Sequence, residues 1–342
     1  MIIETKSGIL QLPAFLPDAT HAALKGMSIE DVKSTNTPGL VTNTYHLILD
    51  GLVDTIEQYG GIHKYMGFEG YPIITDSGGF QAMSLVRRNK SNGKITDDGV
   101  TFKNLSSGGT LVLTPESCID TQIRLGSDII MCLDDCTDPA ESYDVQLKSV
   151  QRTIDWAKRC KKAFENTKSK ALIFAIIQGG NDKNLRKMCA DELINIGFDG
   201  YAYGGWPMEN NVFMNEILEY TASLMPDTLP KYAMGVGKPI DIENCVKMGY
   251  NLFDCVLPTR DARHNRLYVS QNGNFSFIYI NSGKYKNDFT PISDECDCYT
   301  CKNYIKSHLY HLSKSADPTF YRLSSIHNLR FYSSLMERLA KV

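Results

Sequence analysis

The sequence predicts an α/β protein built on a (β/α)8 TIM barrel, with an inserted β segment after the third strand and a separate C-terminal subdomain. Three observations support this prediction. Eight short apolar runs rich in Val, Ile, Tyr and Phe recur along the chain, helix-like segments separate most of them, and several runs end in polar or glycine residues. Eight strand–helix units in about 260 residues match the size of a closed barrel. The runs are 13–17, 39–45, 71–76, 127–134, 171–178, 200–205, 231–237 and 251–258.

The segments between and after these runs complete the predicted architecture. Residues 141–166 have the clearest helical period, and residues 86–113 are polar and turn-rich, which indicates the insertion. A terminal helix is predicted over 327–342. We therefore expect the barrel over 1–263 and the C-terminal subdomain over 264–342. The apolar stripe of the 141–166 helix consists of Leu147, Val150, Ile154, Ala157 and Phe164.

Composition indicates a globular cytoplasmic protein. The chain has 342 residues, of which 42% are hydrophobic and 22% are charged, as is usual for soluble domains. No run approaches eighteen apolar residues, and the N-terminus lacks the pattern of a signal peptide. We therefore expect a cytoplasmic protein without a membrane span.

Charge is distributed unevenly. From Pro258 onward the chain has 12 Lys and Arg against 7 Asp and Glu, whereas the preceding part has 24 against 32. A basic C-terminal quarter suits a protein that holds a polyanion, although chance asymmetry explains the charge balance equally well.

Three of the ten cysteines are crowded into the stretch CDCYTC, as Cys296, Cys298 and Cys301. In a cytosolic chain this spacing indicates a metal site rather than disulfides. Three thiolates and one imidazole would complete a closed, structural Cys3His zinc site. The spacing alone does not select the imidazole, since His308 and His311 lie nearer in sequence than His327.

Polar strand ends predict a functional site at one rim of the barrel, where parallel strands place their carboxyl ends. Asp76 and Asp134 end two runs, although each could equally be a helix N-cap. The eighth run, within FDCVLPTRDARHNR, contains Asp254 among apolar residues, and arginines follow it. A solvated turn would explain the arginines but not the acid.

Long ordered motifs then identify a family resemblance. They include NTYHL (43–47), DSGGFQ (76–81), LGSDIIMCLDDCT (125–137), FDCVLPTR (253–260) and HNLRFY (327–332). With these motifs the chain resembles the tRNA-guanine transglycosylases, also called queuine tRNA-ribosyltransferases, nearly from end to end. In that family the step from the last cysteine to the histidine selects His327 as the fourth zinc ligand.

The resemblance implies a transferase of the pentosyl type that acts in queuosine modification of tRNA. Guanine at the first anticodon position would be exchanged for a 7-deazaguanine through a covalent ribosyl-aspartate. Asp254 is implied as the nucleophile and Asp76 as the general acid/base.

The same resemblance implies the residues that bind substrate, and it implies two partners: tRNA and a second copy of the chain in a homodimer. Asp134 and Gln178 would read the guanine edge, and Arg260 and Arg263 would contact tRNA phosphates. The remaining residues of the predicted base pocket are Phe80, Gly205, Trp206 and Met234.

The segment after Gly205 departs from the family pattern. Bacterial relatives commonly continue Leu-Ala-Val-Gly-Glu, whereas this chain has Trp206, Pro207, Met208, Glu209 and Asn210. Because in that family this segment lines the side of the pocket that holds the 7-substituent, the resemblance leaves two expected incoming bases, 7-aminomethyl-7-deazaguanine and queuine.

Three alternatives compete with the leading hypothesis. A related transglycosylase could act on DNA, a non-catalytic partner subunit could bind tRNA, and a two-carboxylate glycoside hydrolase could release free sugar. The presence of Asp76, Asp134 and Asp254 argues against a subunit that only binds, and the zinc motif with FDCVLPTR favours tRNA over DNA.

Overall fold

The computed structural model describes every residue except 106–107, 210–211, 272 and 342. An N-terminal hairpin precedes the main sheet and consists of β1 (Ile2–Glu4) and β2 (Ile9–Gln11). Eight parallel strands form the main sheet. They are β3 (Ala14–Pro17), β4 (Leu40–Thr42), β5 (Ile73–Thr75), β9 (Ile129–Met131), β10 (Leu172–Ile177), β11 (Gly200–Tyr203), β14 (Lys231–Ala233) and β15 (Leu252–Cys255). Their order in the sheet is β3-β15-β14-β11-β10-β9-β5-β4.

The first and last strands of this order approach each other and nearly close the barrel. Asp18 forms a parallel bridge with Val41, and the N–H of Ala19 donates to the Val41 carbonyl at 2.7 Å. Each strand lies within one of the eight apolar runs, so the predicted (β/α)8 barrel is confirmed.

Helices surround the sheet and follow its strands. They are α1 (Ile29–Lys33), α2 (Thr44–Leu49), α3 (Val53–Tyr59), α4 (Ile62–Met66), α5 (Gly79–Arg88), α6 (Pro115–Leu125), α7 (Tyr143–Glu165), α8 (Lys183–Ile196), α9 (Asn215–Leu224), α10 (Pro239–Lys247) and α11 (Leu257–Arg263). Helix α7 agrees with the prediction for 141–166. Local sequence fixes several starts: Thr114 and Ser117 form a capping box for α6, and Asp182 caps α8.

The barrel interior is a buried apolar cluster that sets the direction of the site residues. It contains Leu16, Ile74, Ile176 and Leu252, each on a different strand. Successive side chains of a strand point to opposite faces, so residues two positions further on point the same way. The alternation therefore directs Asp18, Asp76, Gln178 and Asp254 into the mouth of the barrel.

The insertion after the third strand is a three-stranded antiparallel sheet, as the sequence predicted. It consists of β6 (Gly93–Thr96), β7 (Gly99–Lys103) and β8 (Thr110–Leu113), and it packs beside α5. A short hairpin of β12 (Met208–Glu209) and β13 (Val212–Phe213) follows β11.

The tail contains the hairpin of β16 (Arg266–Gln271) and β17 (Asn274–Tyr279) and the helices α12 (Tyr299–Asn303), α13 (Lys306–Lys314) and α14 (Pro318–Leu339). The predicted start of the last helix at residue 327 is wrong. Asp317 accepts a hydrogen bond from the N–H of Thr319, and Pro318 occupies the first turn, so the helix begins nine residues earlier than predicted. His327 therefore lies inside α14. The division of the chain at residue 263 stays a prediction.

Across the described ranges of the chain, no helix combines the length and apolar character needed to cross a membrane.

Candidate functional site

A cavity of about 400 Å³ opens at the carboxyl ends of the barrel strands. It has the size of an ordinary small-molecule site. Its lining includes every predicted catalytic and base-pocket residue: Asp76, Phe80, Asp134, Gln178, Gly205, Trp206, Met234 and Asp254. The structure therefore brings together residues that are up to 178 positions apart in the sequence.

Asp76 is held in a fixed orientation by the segment after β4. The N–H and the hydroxyl of Thr44 donate to its Oδ1 at 2.9 and 3.2 Å, and the amide of Asn43 donates to Oδ2. Burial, together with the nearby carboxylates of Asp18 and Asp254, raises the pKa of Asp76 to about 7 against the opposing hydrogen bonds from Thr44. Asp76 can therefore either donate or accept a proton near neutral pH.

Asp254 lies at the end of β15 and faces the same cavity. Burial raises its pKa to about 6, whereas hydrogen bonds from Gly235 and Tyr232 lower it. The Gly235 N–H donates to Oδ1 at 2.8 Å. At neutral pH this carboxyl is mostly ionised, which is the state that a carboxylate nucleophile requires, and it faces the cavity.

Asp134 and Gln178 form a direct pair. The Nε2 amide of Gln178 donates to Asp134 Oδ2 at 2.6 Å, and both side chains are buried. Burial raises the pKa of Asp134 to about 7, although the Gln178 hydrogen bond opposes the shift. Asp134 follows Met131 of the interior cluster by three positions, and the irregular segment after β9 turns it into the cavity. The pair offers adjacent acceptor and donor groups to the edge of a planar base.

Two further predicted residues supply flat or soft apolar surface. Phe80 lies in the first turn of α5 and is 49% exposed, while Met234 follows β14 and is partly buried against the interior cluster. Trp206, which is 45% exposed, extends the wall together with Pro207 and Met208. Asn210, where the relatives have an acid, lies outside the described residues. The rings of Phe80 and Trp206 and the thioether of Met234 favour contact with the face of a heterocycle.

The two predicted tRNA-binding arginines lie next to the cavity rather than in its lining. Arg260 and Arg263 belong to α11, which begins two residues after β15. Arg260 is exposed, and Arg263 has a buried Nη1 without a hydrogen-bond partner. Burial and the charge of Arg260 lower the pKa of Arg263. Within the described chain neither arginine forms an ion pair, which leaves both free for an anion.

Sequence analysis missed Arg186, a fully buried cation behind the cavity wall. Its Nη1 donates to the carbonyls of Ile177 and Gly204 at 2.8 Å each, and Nε donates to the Gly180 carbonyl at 2.9 Å. The guanidinium also lies 4.3 Å from the ring centre of Tyr203. The signal was available, since Arg186 shares the buried face of α8 with the apolar residues three, four and seven positions later.

The tail brings four ligand atoms together near the start of α12. They belong to Cys296, Cys298, Cys301 and His327, and all lie within 4.8 Å of one another. The sulfurs are 3.6, 3.7 and 3.3 Å from His327 Nδ1. Tetrahedral bonds of about 2.0 Å to nitrogen and about 2.3 Å to sulfur would separate these atoms by about 3.5 Å. The four residues therefore fit one metal ion.

The orientation of His327 is fixed from behind. Its Nε2 lies 2.6 Å from the carbonyl of Tyr268, so Nε2 carries the hydrogen and Nδ1 presents its lone pair to the sulfurs. This arrangement is typical of metal-binding histidines. Neither His308 nor His311, the nearer candidates in sequence, belongs to the cluster.

Comparison with known proteins agrees with this geometry. A family model described as Queuine tRNA-ribosyltransferase matches residues 2–341. A queuine tRNA-ribosyltransferase of Actinobacillus pleuropneumoniae serotype 5b is 44% identical over 332 residues, which cover 97% of this chain and 85% of the relative. Those of Mannheimia succiniciproducens and Haemophilus influenzae (strain ATCC 51907) are 44% and 43% identical over 331 and 342 residues. They cover 96% and 99% of this chain, and 85% and 87% of the relatives. The chain therefore belongs to the queuine tRNA-ribosyltransferase family, a family of pentosyltransferases, as its motifs indicate.

Proposed function

We propose that this enzyme exchanges guanine at the first anticodon position of tRNA for a 7-deazaguanine through a covalent ribosyl-aspartate on Asp254. The observation that carries the proposal is the shared cavity of Asp254, Asp76 and the Asp134–Gln178 pair. A nucleophile, a proton carrier and a base-reading pair are the groups that a base exchange requires.

The exchange proceeds in two displacements at C1′ of the ribose. In the first, an Asp254 oxygen forms a bond to C1′, the bond from C1′ to guanine breaks, and guanine leaves with the bonding electrons and a proton from Asp76. In the second, Asp76 takes a proton from the incoming base, which attacks C1′ and releases Asp254. Two inversions restore the original configuration. The target guanine enters the cavity only after its nucleotide has left the stack.

Base recognition rests on the buried pair and on the ring-binding surfaces. The Asp134 carboxylate accepts from N1–H and the exocyclic amine, while the second Nε2 hydrogen of Gln178 donates to O6. Phe80 and Met234 enclose the ring between them. The backbone N–H of Gly205 adds a donor at the same wall.

The incoming base is a 7-deazaguanine whose 7-substituent meets Trp206, Pro207 and Met208. Among the described residues of this segment, Glu209 does not line the cavity, and its carboxylate accepts a hydrogen bond from the Asn181 amide at 3.0 Å. Both 7-aminomethyl-7-deazaguanine and queuine are therefore tested as substrates.

The other finer assignments follow the family resemblance. Arg260 and Arg263 bind phosphates of the anticodon loop. The metal of the Cys3His cluster is one structural zinc ion per chain, since three thiolates and one imidazole are soft ligands without an open position. The enzyme is cytoplasmic, and in that compartment its free thiols stay reduced. It acts as a homodimer, and light scattering of the purified protein tests this oligomeric state.

The test is a base-exchange assay with tRNA that carries labelled guanine in the anticodon. We expect each 7-deazaguanine that fits the cavity to release the label, and the faster of the two bases is the natural one. Release from duplex DNA but not from tRNA would instead support the DNA-acting alternative. Label loss with free ribose and no base incorporated would support a hydrolase.

The covalent step has its own test. Wild-type enzyme is incubated with tRNA, and the adduct is detected on a denaturing gel. Asp254→Asn is expected to abolish the adduct while tRNA binding persists, whereas Asp241→Asn, which alters a buried carboxylate outside the cavity, leaves it intact. An adduct in Asp254→Asn would exclude this residue as the nucleophile.

A further inference from the structure

A third carboxylate, Asp18, lines the cavity beside the two proposed catalytic acids. It follows β3, the strand that pairs with β15, and Leu16 lies opposite Asp254 in their register. Asp18 is therefore two residues nearer to the rim than Asp254 on the neighbouring strand, a rise of about 6.6 Å. Because side chains alternate, Asp18 points inward like Leu16 of the interior cluster.

The surroundings of Asp18 leave its carboxylate available to a ligand. In the described part of the chain the hydrogen bonds to this carboxylate come from Thr20 alone, whose hydroxyl donates to Oδ1 at 2.8 Å. Asp76, by contrast, is occupied by Asn43 and Thr44. The backbone at Asp18 closes the barrel through the bridge to Val41, a task that needs no acidic side chain.

The three acids lie close enough for the charge of one to shift the pKa of another. The charge of Asp18 raises the pKa of both Asp76 and Asp254, and burial raises the pKa of Asp18 itself. An acid that only opposes the ionisation of its neighbours would be unfavourable. A substrate group that donates a hydrogen bond to Asp18 offsets this repulsion.

The stereochemistry of a ribonucleotide supplies such a group. The base and the 2′-hydroxyl lie on opposite faces of the ribose, so a carboxylate that displaces the base approaches C1′ from the face that carries the 2′-hydroxyl. The hydroxyl thus meets the enzyme beside Asp254. Hydrogen bonds to the hydroxyl next to the reacting carbon strengthen in the transition state of glycosyl transfer.

We propose that Asp18 accepts a hydrogen bond from the 2′-hydroxyl of the target nucleotide, and that it thereby both assists the displacement and selects RNA over DNA. The inference rests on the proposed function, because it requires a nucleotide bound with C1′ at Asp254. It identifies the 2′-hydroxyl as the group by which this chain distinguishes the two polymers.

The test is a cycle of enzyme variants and RNA substrates. Anticodon stem-loops are prepared with an ordinary target nucleotide, with a 2′-deoxy target nucleotide, and with a 2′-deoxy nucleotide one position later as a control. Guanine release, as kcat/KM, is measured for wild type, Asp18→Ala and Asp18→Asn. Asp50→Asn serves as the matched control, because it removes an exposed acid of the rim region that does not line the cavity.

We expect Asp18→Ala to lose about ten- to a hundredfold on the ordinary RNA and less than about threefold on the RNA with the 2′-deoxy target. Asp18→Asn, which keeps the shape and a neutral acceptor, falls between. A deoxynucleoside loses its base more readily than a ribonucleoside, whichever enzyme variant is used. This difference cancels when the loss of kcat/KM caused by Asp18→Ala on the ordinary RNA is compared with the loss on the RNA with the 2′-deoxy target. The control RNA behaves like the ordinary one, and Asp50→Asn behaves like wild type.

Equal losses on both RNAs would overturn the proposal and assign Asp18 to charge or folding alone. Thermal melting identifies a variant that fails to fold, and in that case the isosteric Asp18→Asn supplies the comparison. A folded wild type that releases no guanine from the ordinary RNA would refute the proposed function, and this inference with it. An active wild type without coupling would refute only the role of Asp18.

Discussion

Asp76 and Asp254 have the same side chain, and their surroundings suit them to the two different tasks that we propose. Burial raises both pKa values and each carboxyl accepts a backbone N–H, but Asp76 lies near the carboxylates of both Asp18 and Asp254, whereas the pKa of Asp254 is raised by the charge of Asp18. Their pKa values therefore separate to about 7 and about 6. Separation of this kind is how one site holds both a proton donor and an ionised nucleophile at one pH.

The pH dependence of kcat/KM follows from these values. The reaction needs Asp254 ionised, so the rate falls as pH drops through about 6, and it needs Asp76 protonated, so the rate falls as pH rises through about 7. We expect a bell-shaped profile between pH 5 and 9 with its maximum between pH 6 and 7. The two limbs belong to the coupled pair of acids. A rate that climbs steadily to pH 9 would contradict this assignment.

At the scale of elements, the cavity depends on how loops after β10 and β11 are held together. Arg186 of α8 binds carbonyls on both loops and stacks on Tyr203. Gly205 leaves little room there, since a side-chain carbon at its position would lie 3.2 Å from the Arg186 Nη2 atom. The helix behind the sheet therefore positions Gln178 and Gly204 at the cavity wall.

Replacing Arg186 tests this role. We expect Arg186→Met to lower the free energy of unfolding by about 2–4 kcal/mol, because three buried carbonyls each lose a hydrogen bond. Urea unfolding measures the change. Arg159→Met, which removes a partly exposed arginine that pairs with Glu116 and donates to the carbonyls of Asp97 and Asp98, is the control and should change stability by less than about 1 kcal/mol. Equal effects of the two substitutions would show that Arg186 is not a structural link.

At the scale of the whole molecule, α14 connects the Cys3His cluster to the segments that follow β14 and β15. Asn328, next to His327, donates to the carbonyls of Pro258 and Arg266 at 3.0 Å each. The Tyr332 hydroxyl donates to the Gly237 carbonyl at 2.6 Å. A metal ion held by the four residues would therefore fix a helix that contacts the segments following β14 and β15, although the cluster lies outside the cavity.

We therefore expect loss of the metal to affect both the cluster in the tail and the segments that follow β14 and β15. We expect Cys301→Ser to reduce bound zinc from about one ion per chain to near zero and to lower the thermal midpoint by several degrees. Metal analysis and calorimetry measure the two effects. Cys245→Ser alters a buried cysteine outside the cluster and should keep the zinc. A folded protein without zinc would refute the site.

Basic side chains outnumber acidic ones in the C-terminal quarter of the chain, and α11 brings Arg260 and Arg263 of this quarter next to the cavity. We expect Arg260→Ala and Arg263→Ala each to weaken tRNA binding and to reduce the slope of log K against log salt by about 1. Filter binding at several salt concentrations measures the slope. Arg338→Ala is the control, because its guanidinium already pairs with Glu243. An unchanged slope would separate those arginines from the RNA.

The amino-acid sequence by itself determined the barrel, the insertion and the identities of the catalytic candidates. Periodicity is a local property, and each apolar run contained its strand because strands and helices bury different spacings of residues. Long motifs likewise identified Asp76, Asp254 and the cysteines. The start of α14 was also local, in Asp317 and Pro318, but the prediction missed it.

Tertiary structure alone decided what distant residues do to one another. The contact of Gln178 with Asp134, the burial of Arg186 beneath two loops and the approach of Asp18 to Asp254 depend on which strands are neighbours in the sheet. The raised pKa values of Asp76 and Asp254 arise from burial and from neighbouring carboxylates. Distances between segments far apart in the chain are set only when the barrel closes, because sequence periodicity carries no information about strand order.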